Sequence, residues 1–238
     1  MLNGKKLLAL IPARGGSKRV PGKNLAEVYG RPMIEWTIRA ATMSNYVDSV
    51  VVSTDDSEIA DIATCAGARV PFIRPFILST DTATSLEVIN HSLNYLSEIG
   101  ENYEYLVLLQ PTSPLRTESH IDECVELFST RNMDSIVSVV RIDYPPDWNY
   151  SVDKELRMTP DISGSDEALR SQDYPDRYRP NGAIYLIRVS VYRESNSLYP
   201  PGRVYAYEMN KLDSIEVDDE EDLILVRAMI KHQKEASS

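Results

Sequence analysis

Cysteine and histidine, the residues that most often carry metal or nucleophilic chemistry, are scarce: the chain holds 2 of one and 3 of the other. Cys65 and Cys124 show no CxxC spacing, which excludes a disulfide framework and leads us to expect a reduced, cytoplasmic protein. His91, His120 and His232 are scattered, without metal-ligand spacing. GxSxG is absent, so no serine nucleophile elbow is expected. GxxxxGK[ST] and GxGxxG are absent too, which excludes the two commonest phosphate-loop signatures. No apolar run approaches the roughly 18 residues of a membrane helix. Lys5-Lys6 followed by Leu7 to Ile11 is too short for a secretory leader. Positive charge is in deficit, with 25 Lys and Arg against 36 Asp and Glu and a net charge of −11. That balance argues against a general nucleic-acid or anionic-membrane surface.

Against this acidic background, one segment is basic. Leu7 to Ile11 runs as an apolar strand straight into Pro12-Ala13-Arg14-Gly15-Gly16-Ser17-Lys18-Arg19-Val20-Pro21-Gly22-Lys23-Asn24. Arg14, Lys18, Arg19 and Lys23 are four cations within ten residues. The glycines allow backbone N–H groups to approach a ligand closely. A local basic loop on an acidic protein suits a small polyanion, such as the β- and γ-phosphates of a nucleoside triphosphate. Gly15 to Lys18 would supply N–H groups, and Arg14 and Lys23 the charge. A solvated loop of mixed turns is the plain alternative.

The 238 residues suffice for one domain. Up to about residue 140, strand runs alternate with helical patterns. Leu7 to Ile11, Ser49 to Ser53, Tyr105 to Leu109 and Ser135 to Val140 read as strands. Ile34, Ile38 and Ala41 mark one helix opening after Pro32, and Ile59, Ile62, Ala63 and Ala66 a second that stops at Gly67. Leu86, Ile89, Leu93 and Leu96 line a third, and Ile121, Cys124, Val125 and Phe128 a fourth. This alternation predicts an α/β fold of βαβ units with a mostly parallel sheet and ligands beyond the carboxyl ends of its strands. The pattern breaks near residue 143. Residues 143–178 read as an excursion, a hairpin forming a lid or a dimer contact. Ala183 to Ile187 returns as a strand, Val204 to Tyr207 and Ser214 to Val217 as short strands, and Leu223, Val226 and Ile230 mark a closing helix.

Three further segments could carry chemistry. Strand alternation places Glu216 and Asp218 on one face, roughly 7 Å apart, which suits Mg²⁺. The following Asp219, Glu220 and Glu221 are equally a helix start favoured by the macrodipole. Gln110-Pro111-Thr112-Ser113-Pro114-Leu115-Arg116 is a rigid turn in which Gln110 could pair with a base edge, or an ordinary strand-to-helix turn. Asn181-Gly182 reads as a turn before a strand.

Taken together, IPARGGSKRVPGKN (11–24), VVSTDD (51–56), RPFILSTDTATS (74–85), LLQPTSPLR (108–116), RPNGAIY (179–185) and DSIEVDDEEDL (213–223) resemble the acylneuraminate cytidylyltransferases and their relatives acting on other nonulosonic acids. The resemblance covers nearly the whole chain. It implies a single three-layer, Rossmann-like nucleotidyltransferase domain over 1–238, a homodimer, and a dimerisation role for the excursion. It implies CTP and a nonulosonic acid as substrates, with no nucleic acid and no membrane. By it, Arg14, Ser17, Lys23 and Asn24 match the loop holding the CTP phosphates. Arg74, Ser85 and Gln110 match positions near cytosine and sugar. Gln110, Asn181 and Tyr185 match sugar-acid contacts, and Glu216 and Asp218 match the Mg²⁺ carboxylates. Arg14, Lys23 and Asp218 are the implied catalytic residues.

The chain departs from that family at three points. The first metal carboxylate, usually Asp, is Glu216. No lysine follows the stretch Tyr144-Pro145-Pro146-Asp147-Trp148, where sialic-acid-specific relatives place one. Ser171 stands where those relatives carry an arginine, with Arg170 beside it. The last two differences suit a different nonulosonic acid, such as a legionaminic or pseudaminic acid; the longer Glu216 bears instead on direct metal ligation, which falls first to Asp218. A CMP-Kdo-type synthetase and a non-catalytic nucleotide-binding protein of the same fold are the rival readings.

Overall fold

The computed structural model describes residues 1–17, 19–144, 148–161 and 175–236. In chain order the strands are β1 (Leu7–Pro12), β2 (Glu27–Val28), β3 (Arg31–Pro32), β4 (Ser49–Ser53), β5 (Tyr105–Leu108), β6 (Ser135–Arg141), β7 (Tyr150–Val152), β8 (Met158–Pro160), β9 (Tyr178–Arg188) and β10 (Val204–Glu208). The helices are α1 (Met33–Met43), α2 (Ser57–Cys65), α3 (Ser85–Glu98), α4 (Glu118–Thr130), α5 (Val189–Ser195) and α6 (Glu220–Ala236). Six strands form one sheet in the order β10-β6-β9-β5-β1-β4. β1 pairs in parallel with β4 and β5, and β10 in parallel with β6. β9 is inserted antiparallel between β5 and β6.

Three layers follow from the two-residue side-chain period of β1, which is apolar on both faces. Leu7, Ala9 and Ile11 pack with α1, α2 and α4 on one side, through Ile38, Ile59 and Phe128. Leu8 and Leu10 pack with α3 and α5 on the other, through Ile89, Leu93 and Tyr192. Each of these leucine, isoleucine and phenylalanine side chains contributes about 1.5–3 kcal/mol by its burial. A third cluster joins Val20, Val28, Leu115 and Val217 to α6 through Leu223, Val226 and Ile230. The helix starts are locally encoded. Asp56 caps α2 by accepting from the N–H groups of Glu58 and Ile59. Thr84 and Glu87 make a reciprocal capping box on α3. Asp219 accepts from the N–H groups of Glu221 and Asp222 at the head of α6.

Two local expectations are corrected. No strand forms over 214–217. Its backbone is held by loop and side-chain partners instead: Val217 N–H donates to the Thr112 carbonyl at 2.7 Å, and the Val217 carbonyl accepts from Lys23 Nζ at 2.8 Å. Asn181-Gly182 is not a turn. It lies inside the 11-residue β9, where the register against β6 shifts between Val137 and Val139, and Gly182 takes φ +74°. A bulge of this kind bends the strand and re-aims its side chains.

Within the 143–178 excursion, β7 and β8 form an antiparallel hairpin with Tyr150 opposite Pro160 and Val152 opposite Met158. Tyr150, Val152, Leu156 and Met158 are all exposed. Residues 145–147 and the Arg170-Ser171 pair lie outside the described residues, as does Lys18.

Candidate active site

The carboxyl ends of β1, β4 and β5 meet along one edge of the sheet, because the three strands are parallel neighbours. The loops that leave them, 13–24, 54–56 and 109–117, therefore converge. They surround a cleft of about 640 Å³, within the range of small-ligand sites. Arg14, Ser17, Lys23, Asn24, Arg74, Ser85, Gln110 and Asp218 all line it. Nine sequence-predicted residues are thus brought to one site by the fold, once Glu216 beside it is included.

The loop after β1 is pinned from beneath. Asn24 is buried, and its Nδ2 donates to the Arg14 carbonyl at 2.9 Å. Gly15 N–H donates to Asp55 Oδ1 at 3.1 Å, so this amide braces the loop against the end of β4 and does not face the cleft as a phosphate donor. A Cβ on Gly15 would lie 2.5 Å from Asp56 Oδ2, so only glycine allows the loop to sit on the head of α2. Arg14 reaches across the cleft to Asp81 at 2.9 Å. Arg74, almost fully buried, lies 3.5 Å from Asp55; burial holds its pKa below the usual range, against the opposing pull of Asp55.

Among the described cations of the loop, Lys23 is the most enclosed. Its Nζ donates to the Val217 carbonyl and lies 3.8 Å from Asp218. Desolvation lowers its pKa; Asp218 and Glu216 pull the other way. The Lys23 ammonium therefore enters the cleft weakly solvated, where its field on an anion is strongest.

The two carboxylates differ. Glu216 is half-buried, and Thr112 Oγ1 donates to its Oε1 at 3.0 Å. Desolvation raises its pKa first, with Asp218 adding to the rise and Thr112 opposing it. Asp218 is more exposed and meets Arg19 and Lys23, each at 3.8 Å. Asp218 also borders a second cavity of about 640 Å³, whose walls include Arg141, Asp143, Tyr144, Arg179, Lys211 and Glu216. Among the described residues no group of three or more His, Cys, Asp or Glu gathers into a metal cage. Two hard oxygen ligands beside an anion cleft still fit Mg²⁺, which keeps waters and takes further ligands from phosphate. A cation there would relieve the repulsion that Asp218 exerts on Glu216.

Asn181 and Tyr185 do not line either cavity. Asn181 is fully buried; its Oδ1 accepts from Ser138 Oγ at 2.5 Å, and its Nδ2 donates to Ser214 Oγ at 2.9 Å. Its amide is spent on tying the β9 bulge to the segment that carries Glu216. Tyr185 packs with the α3 and α5 layer and stands edge-on to Tyr199. Burial raises its phenol pKa.

Sequence reasoning missed Thr112, Asp55 and Arg116 as site components. Arg116 is buried behind the cleft, where Nη1 donates to the carbonyls of Gln110 at 3.3 Å and Ala183 at 3.1 Å. Burial lowers its pKa to about 9. LLQPTSPLR marked the segment, but nothing in its spacing separates buried braces from cleft-lining groups.

Comparisons with known proteins agree with this geometry. The family model described as Cytidylyltransferase matches residues 8–230. An N-acylneuraminate cytidylyltransferase of Streptococcus agalactiae is 38% identical over 93% of this chain, which spans about half (52%) of that relative's length. The CMP-N,N'-diacetyllegionaminic acid synthase of Legionella pneumophila is 34% identical, over 97% of this chain and 99% of that protein. A pseudaminic acid cytidylyltransferase of Campylobacter jejuni is 29% identical over 98% of this chain and 99% of that one. Among solved structures, CMP:2-keto-3-deoxy-manno-octonic acid synthetase complexed with CTP aligns with a TM-score of 0.70 at 19% identity, covering 96% of this chain and 99% of that one. The fold is that of the nucleotidyltransferases, and the chain belongs to the cytidylyltransferase family.

Proposed function

We propose that the protein transfers CMP from CTP to the anomeric hydroxyl of a nonulosonic acid and releases pyrophosphate. The observation that carries this reading is the position of Asp218, which borders both the cation-lined cleft and the second cavity. One carboxylate facing two adjoining cavities suits a reaction that joins two substrates. The near-full-length match to the Legionella synthase supports the acceptor class.

In this reading the triphosphate lies along the loop after β1. Arg14 and Lys23 neutralise it, Ser17 offers a hydroxyl, and Asn24 keeps the loop in shape. Arg74, Ser85 and Gln110 face the cytidine side of the cleft. The sugar acid enters the second cavity, whose Arg179 and Lys211 match a carboxylate in charge. Asn181 and Tyr185 then act by shaping the walls. The anomeric oxygen attacks the α-phosphorus and the bond to pyrophosphate breaks. The chain's contribution is to align the two substrates and to hold the departing charge on Lys23 and Arg14. Glu216 and Asp218 would hold Mg²⁺, which supplies Lewis-acid polarisation of phosphate oxygens when bound.

The exposed apolar side chains of the β7–β8 hairpin suit a contact between two copies, so the working unit is a homodimer. Its site of action is the cytoplasm, where CTP is made.

The test incubates the protein with CTP, Mg²⁺ and a panel of N-acylneuraminic, legionaminic, pseudaminic and Kdo acids. Pyrophosphate release with one nonulosonic acid is the expected result. Release with Kdo alone would make it a Kdo-type synthetase, and CTP binding without release for any acid would make it non-catalytic.

A further inference from the structure

Glu216 is one methylene longer than an aspartate, yet its carboxylate is seated without slack. Two residues far away in sequence account for this. Gly182, at φ +74° in the β9 bulge, leaves the space: a Cβ there would lie 2.8 Å from Glu216 Oε1 and 3.0 Å from both Oε2 and the carboxyl carbon. Thr112 supplies the hold. Its hydroxyl donates to Glu216 Oε1 at 3.0 Å, and its carbonyl accepts the N–H of the next residue, Val217, at 2.7 Å. The second bond fixes the main chain at the glutamate's shoulder while the first fixes the carboxylate, so neither depends on the other.

The geometry points to Thr112 as the positioning residue for Glu216, with Gly182 as the vacancy that makes glutamate the carboxylate that fits. This rests on the metal reading of Glu216 proposed above. A hydroxyl donor on Oε1 leaves Oε2 as the free ligand oxygen and fixes the plane of the carboxylate. Hydrogen-bonded partners of metal ligands commonly govern affinity by 10–100-fold. Shortening the side chain would withdraw the carboxylate from the Thr112 hydroxyl and leave the space over Gly182 unfilled. Glu216→Asp is therefore expected to bind a divalent ion more weakly than the wild type.

The test is Mn²⁺ affinity of the full chain, followed by electron paramagnetic resonance with and without CTP. Thr112→Val is expected to weaken Mn²⁺ binding by about tenfold or more, and Thr112→Ser to restore it. Thermal melting of each variant reports whether the fold is intact, and Thr112→Ala, which also lacks the hydroxyl, takes the place of the valine variant if that one does not fold. Wild-type affinity in a folded Thr112→Val protein, together with lost affinity in Glu216→Gln, would overturn the role of Thr112 alone. Wild-type affinity in Glu216→Gln would overturn the metal reading beneath it.

Discussion

Lys23 Nζ donates a 2.8 Å hydrogen bond to the main-chain carbonyl of Val217, 194 positions away in sequence. That one contact joins the basic loop to the segment bearing both carboxylates. The ammonium therefore has two tasks, one toward the anion and one toward the backbone that carries Glu216 and Asp218.

Lys23→Ala is expected to lower kcat by more than tenfold at saturating CTP, or about 1.4 kcal/mol of barrier. Steady-state pyrophosphate release measures it. Near-normal turnover would remove Lys23 from the reaction.

Asp218→Ala is expected to abolish metal-dependent turnover while the fold survives, because Asp218 is exposed and its ion pairs with Arg19 and Lys23 are long. A Mg²⁺ titration of the variant decides the point. Retained metal dependence would move the metal elsewhere.

Glu216 has a second consequence that needs no substrate. Its folded-state pKa is raised above 4.5, chiefly by burial. The folded chain then holds a proton that the unfolded chain has released, so wild-type stability falls as pH rises from about 4.5 through the raised value. Glu216→Gln cannot ionise and keeps a carbonyl for Thr112. Its melting temperature should exceed that of the wild type at pH 7, and the gap should close toward pH 4. A gap that stays constant with pH would show that ionisation of Glu216 costs the fold nothing.

Asn181→Ala is expected to cost stability, about 1–3 kcal/mol, because Ser138 and Ser214 both lose a buried partner. Urea unfolding reads this directly. Since the amide is enclosed, turnover should suffer through kcat more than through the KM of the sugar acid. A large rise in that KM with unchanged stability would restore Asn181 as a sugar contact.

The layered sheet is legible in the sequence because its strands are buried on both faces. Leu7–Ile11, Val50–Val52 and Tyr105–Leu108 are unbroken apolar runs, and the helices between them carry clear apolar stripes. The cleft residues are legible because cations and glycines stand out on an acidic chain. What was hidden has a common cause: it depends on partners distant in sequence. Residues 214–217 alternate like a strand, but Thr112 and Lys23 claim their backbone groups. Asn181-Gly182 has the composition of a turn, and the bulge opposite Val137–Val139 absorbs it into β9. Arg116 looks like a surface arginine until Gln110 and Ala183 are seen to fold their carbonyls around it.

The antiparallel placement of β9 between β5 and β6 also bears on how the chain reaches this state. As synthesis proceeds, β1, β4 and β5 can pair once residue 108 has emerged, but β6 has no place beside them. Until residues 178–188 arrive, β5 keeps a bare edge and β6 is a lone strand, because its other neighbour, β10, is made later still. Unpaired edges of this kind are where nascent sheets meet wrong partners. The long excursion between β6 and β9 prolongs that interval. The slow step of folding should therefore be the insertion of β9, and a chain truncated before residue 178 should aggregate instead of forming a smaller domain.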